Sequence, residues 1–191
     1  MVNYYEKFAE KIQSVIDKYK DKTAYCIGDR EVSYGRMDEM ACHVASAVAR
    51  MVGDRPVGDV PVRIGISLPR NEDFVPCILA AVKLGCSYVP IDVQTPAERR
   101  DFICKDACLS VLITEDNLQE LLSAPLMETL PVLCGTLSEA YMIYTSGTTG
   151  QPKGRFSALS YPIQLYADCL PARQFQYQRQ VCRAPVCQHQ F

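Results

Sequence analysis

The chain has 191 residues, of which 48% are hydrophobic and 22% charged, with a formal net charge of −2. That is enough chain for one domain with a real core and part of a second, and it excludes a fibrous or disordered composition. The near-neutral charge gives no electrostatic case for nucleic acid or an anionic membrane. No run of about 18 apolar residues is present, so no membrane span is expected. The N-terminus alternates charged and apolar residues instead of carrying a signal peptide's apolar core, and a cytoplasmic location is the expectation.

The spacing of Tyr5, Phe8, Ile12, Val15, Ile16 and Tyr19 predicts an amphipathic helix over Tyr4 to Tyr19. TAYCI and EVSY then read as short strands around a Gly28-Asp29 turn. Met37, Met40, Ala41, Val44, Ala47, Val48 and Met51 form the stripe of a second helix, ended by Gly53. Val62 to Ser67 reads as a buried strand, and Asn71 with Glu72 and Asp73 as the opening of a helix bent near Pro76 and stopped at Gly85. SYVPI is a strand, and Thr95-Pro96-Ala97-Glu98 a capping box starting a helix with Phe102, Ile103 and Ala107 on its apolar side. LSVLI, PVLC and YMIYT complete the expected strands. Strand and helix in alternation predict an α/β fold with a largely parallel sheet flanked by helices.

Ten cysteines need weighing. Cys26, Cys77, Cys86 and Cys134 lie in apolar company and read as small hydrophobes. Cys104 and Cys108 are four apart, and Cys182, Cys187 and His189 form a loose group, but neither spacing matches a zinc set, so no metal site is expected.

Tyr144 to Gly154, YTSGTTGQPKG, carries the chemistry. Gly147, Gly150 and Gly154 allow tight turns and close approach of backbone N–H groups to an anion. Thr145, Ser146, Thr148 and Thr149 add hydroxyl donors, Lys153 a point charge, and no acid interrupts the run. The set suits a polyphosphate, yet it is not a Walker A loop, because proline precedes the lysine and glycine follows it.

TSGTTGQPKG resembles the signature of the adenylate-forming (AMP-binding) superfamily: acyl-CoA synthetases, peptide-synthetase adenylation domains and luciferases. Lys83 to Ile103 and Glu31 to Ala45 are similar to two upstream segments of amino-acid-adenylating members. Their wording tilts the resemblance toward nonribosomal peptide synthetase adenylation domains and D-alanine–carrier-protein ligases. The resemblance implies structural rather than catalytic roles for Tyr88, Pro90, Asp92 and Arg99.

The resemblance implies that a carboxylate attacks the α-phosphate of ATP, with Mg²⁺, to give an acyl-adenylate and pyrophosphate. A thiol, commonly phosphopantetheine on a carrier protein, then takes the acyl group. The substrates would be a nucleotide and a carboxylic or amino acid. The implied ATP phosphate-binding residues are Thr145, Ser146, Gly147, Thr148, Thr149, Gly150 and Lys153; no residue is assigned as catalytic.

The composition changes after Gly154. Up to that residue there are 16 basic and 21 acidic side chains; after it there are four and one, with seven glutamines and no glycine or lysine. Residues 1–154 are therefore expected to be the N-terminal part of an AMP-binding domain, and residues 155–191 a divergent tail, frameshifted or disordered. The family's ribose-binding acid, adenine-side aromatic motif, acid pocket, hinge and C-terminal domain with its catalytic lysine find no match in this sequence. The expectation is a fragment of an adenylating ligase that is inactive alone. A non-catalytic phosphate-binding remnant, or an interaction protein pairing with a separately encoded remainder, stays open.

Overall fold

The computed structural model describes residues 4–53, 61–133, 139–145 and 153–157. Helix α1 spans Tyr4–Lys18 and leads into a hairpin, β1 Thr23–Ile27 and β2 Arg30–Ser33, closed by the Ile27↔Arg30 pair. Gly28 holds φ 58°, the left-handed conformation that the turn needs and that a side chain resists. The Tyr25 hydroxyl donates to the Glu72 carbonyl at 2.5 Å and fastens the hairpin to the start of the third helix. Burial, and then the nearby Asp73 and Glu72 carboxylates, push this phenol up to about 12.

Helix α2 covers Tyr34–Val52, with the Ser33 hydroxyl accepting from the Arg36 N–H at 3.1 Å and Gly53 as its C-cap. Ser33→Ala should cost about 1 kcal/mol through loss of this cap, read as a lower urea midpoint with unchanged slope; an unshifted midpoint would show the cap to be idle. The expected stripe is buried from Met37 to Val48, but Met51 is 59% exposed and Val52 takes the inward position. Three contacts from α2 hold the strandless segment of residues 124–133, one of them from Arg50 Nη2 to the Pro125 carbonyl at 2.7 Å. Ser46 Oγ accepts from the Met127 N–H at 3.0 Å. His43 Nδ1 lies 2.7 Å from the Ala124 carbonyl, an acceptor only, so this nitrogen carries the proton.

Strands β3 Arg63–Ser67, β4 Ser87–Pro90, β5 Val111–Thr114, β6 Tyr141–Thr145 and β7 Lys153–Ser157 form one sheet in the order β5-β3-β4-β6-β7. The β3–β4, β3–β5 and β4–β6 pairings are parallel and β6–β7 is antiparallel. Helices α2, α3 (Phe74–Lys83) and α5 (Glu115–Leu122) pack on one face over Ile64, Ile66 and Ile113; α4 (Ala97–Asp106) covers the other over Val89 and Ile91.

Several helix starts differ from the sequence reading. Asn71 does not cap α3: its Oδ1 accepts from the Asp73 N–H in the preceding turn, and Asp73 is the N-cap residue, its carboxylate accepting from the Asn71 amide instead of capping the helix. Pro76 does not restart that helix, because it falls in the first turn, where no intrahelical N–H is required. Thr95 caps nothing; Asp92 organises that turn by accepting from the Gln94 and Thr95 N–H groups, and Pro96 is the uncapped N-cap of α4. The sequence reading missed α5, which Asn117 starts by accepting from the Thr114 N–H and donating to the Leu112 carbonyl. PVLC is not a strand over residues 131–133, and Cys134 lies outside the described residues. Cys77 and Cys86 are buried as small hydrophobes, and burial pushes the Cys77 thiol up to about 12. Cys26 is only half-buried. No helix among the described residues is long and apolar enough to cross a membrane.

Candidate functional site

The parallel strands β3, β4 and β6 run in one direction, and the chain leaves β6 at the carboxyl ends of that set, where ligands collect in open α/β sheets. Strand β7 returns antiparallel, with Thr145 opposite Lys153 as the outermost rung and Tyr144 opposite Gly154 behind it. Two expected site residues, Thr145 and Lys153, are thus brought together at the mouth of a hairpin. Ser146, Gly147, Thr148, Thr149 and Gly150 lie outside the described residues. Strand β7 itself was not expected; it runs through Gly154, across the change in composition.

Gly154 has a different reason from a turn. It sits in β7, outside the glycines with positive φ, and a Cβ there would lie 3.0 Å from Tyr144 Cζ, 3.2 Å from its hydroxyl oxygen and closer still to the Met142 Cε. The Tyr144 ring occupies the space over the glycine. Its hydroxyl donates to Asp106 Oδ2 at 2.6 Å. Burial, and then this bond to a carboxylate that needs the phenol's proton, hold the phenol above its ordinary range.

The base of β6 is anchored by a buried ion pair that sequence reading missed. Arg63 donates from Nε to Glu139 Oε1 at 2.7 Å and from Nη2 to Oε2 at 2.8 Å, and from Nη1 to the Ala107 carbonyl at 2.9 Å. The Ser87 hydroxyl donates to Glu139 Oε1 at 2.7 Å. Glu139 is 4% exposed. Burial acts to raise its carboxyl, but the bonds from Arg63 and Ser87 prevail and hold it below the ordinary value. The only hint in the sequence was an arginine at the edge of an otherwise apolar strand.

A cleft of about 560 Å³ opens elsewhere, between the β1–β2 hairpin, α2, α3 and α5. Glu31, Glu72 and Asp73 line it against Arg36, a surplus of negative charge that would repel a polyphosphate. Among the described residues no group of three or more His, Cys, Asp or Glu is placed to hold a metal ion.

Residues 12–139 match the family described as AMP-binding enzyme. Syringomycin synthase SyrB1 of Pseudomonas syringae pv. syringae is 34% identical over 154 residues, covering 72% of this chain and 24% of that protein. Pyochelin synthetase PchE of Pseudomonas aeruginosa is 35% identical over 144 residues, covering 70% of this chain and 10% of that protein. The chain thus spans a quarter or less of these relatives' length. The N-terminal subdomain of Klebsiella oxytoca NpsA in complex with 3-hydroxyanthranilyl-AMSN shares the fold, with TM-score 0.61, 18% identity, and coverage of 79% of this chain and 40% of that one. The matched range stops short of Tyr144, so the reading of the loop rests on its own residues, but the sheet that presents it is the family's. The chain belongs to the AMP-binding, adenylate-forming enzyme family.

Proposed function

We propose that this chain supplies the ATP phosphate-binding part of a carboxylate-adenylating ligase, with an amino acid or related acid as substrate. The observation that carries the reading is that the two ends of the TSGTTGQPKG run, Thr145 and Lys153, pair as the outermost rung of β6 and β7, at the carboxyl ends of the parallel strands. The hydroxyls of Thr145, Ser146, Thr148 and Thr149, with loop N–H groups, would hold the β- and γ-phosphates. Lys153 offsets their charge, and Gly147 and Gly150 shape the turn. Fixing those phosphates orients the α-phosphate for attack by the substrate carboxylate, with pyrophosphate as the leaving group. Mg²⁺ fits as an ion carried in on the triphosphate oxygens, since the described residues offer no cage of acids for it. The acyl-adenylate would pass to a thiol such as phosphopantetheine on a carrier protein, in the cytoplasm.

The elements that bind ribose, adenine and the acid, and the mobile domain with its lysine, have no counterpart in these residues, so binding is assigned to this chain and turnover to its combination with them. Calorimetry with MgATP and with pyrophosphate tests this. Lys153→Ala should weaken binding about 10- to 100-fold, the loss of one charge-assisted contact. A chain that binds neither ligand, or a Lys153→Ala variant that binds equally well, overturns the proposal. ATP–pyrophosphate exchange by the chain alone would overturn the division between binding and turnover.

A further inference from the structure

We propose that Tyr144 and Asp106 form a latch that holds the mouth of the phosphate loop in place, and so act as positioning residues for the polyphosphate. This rests on the reading of residues 145–154 as the phosphate site.

The need for a latch lies in the pairing. Strand β6 is joined to β4 through one rung, Tyr88↔Tyr141; from Met142 to Thr145 its backbone partner is β7 alone. Beyond that rung β6 and β7 pair with each other among the described residues, and a two-stranded ribbon is marginally stable without packing. Met142 and Tyr144 supply the packing against the cluster of Val89, Ile91 and Ile103; the Tyr144 ring also covers Gly154 on the facing strand, and its hydroxyl reaches Asp106 Oδ2 at 2.6 Å, a short bond to a carboxylate.

Asp106 is the last residue of α4, at the negative end of a helix dipole, where a carboxylate is unfavourable. Helix stability does not account for it there, whereas an acceptor for Tyr144 does. The end of α4 is in turn fixed, since Arg63 Nη1 binds the carbonyl of its C-cap, Ala107. The same guanidinium holds Glu139, just before β6 begins. Both ends of β6 are thus referred to one place, the junction of Arg63 with the end of α4. Gly154 completes the device, because a Cβ there would press on the Tyr144 ring at 3.0 Å and on the Met142 side chain beside it.

The test uses the full chain with inorganic tripolyphosphate and MgATP as probes, read by calorimetry, together with amide exchange of β6 and β7. Tyr144→Phe keeps the ring and removes only the donor; Asp106→Ala removes the acceptor and Asp106→Asn restores a neutral one. Tyr144→Phe and Asp106→Ala should each weaken both ligands about three- to tenfold and speed β6–β7 exchange by a similar factor. The urea midpoint and the β3–β4 amides should stay put. Asp106→Asn should recover part of the loss, and the double variant should be no worse than either single. Wild-type and variant affinities that agree, while Lys153→Ala still weakens binding, overturn the latch and leave the phosphate reading standing; additive losses in the double variant overturn it too. A wild-type chain that binds no tripolyphosphate overturns the phosphate reading and the positioning role with it.

Discussion

Replacing Glu139 with alanine is expected to lower the free energy of unfolding by about 3–5 kcal/mol, the cost of removing one partner from a buried ion pair. The Glu139 and Arg63 side chains are only 5% and 16% exposed, so solvent does little to screen the loss. The guanidinium would keep the Ala107 carbonyl as its remaining bond, a neutral acceptor for a largely buried charge. Arg63→Ala should be comparably costly, because it leaves a buried carboxylate with the Ser87 hydroxyl alone. Removing both charges together, as Arg63→Met with Glu139→Leu, should destabilise less than the two single losses added, since the desolvation cost disappears with the pair.

The pH dependence has a definite sign. The folded state holds the Glu139 carboxyl below its ordinary value of 4.5. Its contribution is therefore complete above about 4.5 and lost as pH falls through the lower folded value. Urea midpoints should fall more steeply below pH 5 for the wild type than for Glu139→Gln, which has no proton to take up. Parallel curves would show that the pair contributes nothing to acid sensitivity. Arg63 stays charged throughout, because the Glu139 bond raises a guanidinium that is already protonated in this range.

The sequence made the middle of each element plain and its edges much less so. The α2 stripe and the apolar runs of β3 and β4 were legible because burial of one face imposes a period on the side chains, and that period survives any local detail. The starts of α3 and α4 were misread because the rule for caps assumes that the polar residue bonds forward into the helix. Asn71 and Asp92 instead spend their oxygens on N–H groups of the turns before the helices. Helix α5 was invisible for a related reason. Eight residues with Leu118 and Leu121 buried give too short a period to stand out, and its capping box pairs Thr114 with Asn117, where the sequence rule looks for Glu or Gln.

The proposed site could be read from local sequence, but its support could not. Glycines, hydroxyls and a lysine in the order TSGTTGQPKG suit an anion, because phosphate recognition uses backbone and short side chains close together in the chain. What holds the loop is long-range. Tyr144 to Asp106 spans 38 positions and Arg63 to Glu139 spans 76, and nothing local to either residue marks its partner. Strand β7 was likewise hidden, since the abrupt change in composition at Gly154 masks the extended pairing that crosses it.

Ile66→Ala should separate the stability of the sheet from the geometry of the loop. Ile66 is fully buried in β3, which lies between β4 and β5, and it pairs with Pro90 on one side and Ile113 on the other. Losing three carbons there should cost about 2–5 kcal/mol, toward the upper end if the three helices above cannot close on the space. Met51→Ala, at a side chain 59% exposed, is the control and should stay within about 0.5 kcal/mol of the wild type. Both are read as urea midpoints at constant slope; an Ile66→Ala midpoint matching that of Met51→Ala would mean that β3 is not the centre of the core. The ligand response should go the other way. A core cavity lowers the fraction of folded chains without moving the β6–β7 hairpin, so the affinity of the folded fraction for tripolyphosphate should be unchanged under conditions where Ile66→Ala is still folded. A latch variant should show the reverse, with an intact midpoint and weakened binding. That opposition follows from the topology, because Ile66 lies in the middle of the sheet while the Tyr144–Asp106 bond lies at the far end of β6, beyond its one backbone rung with β4.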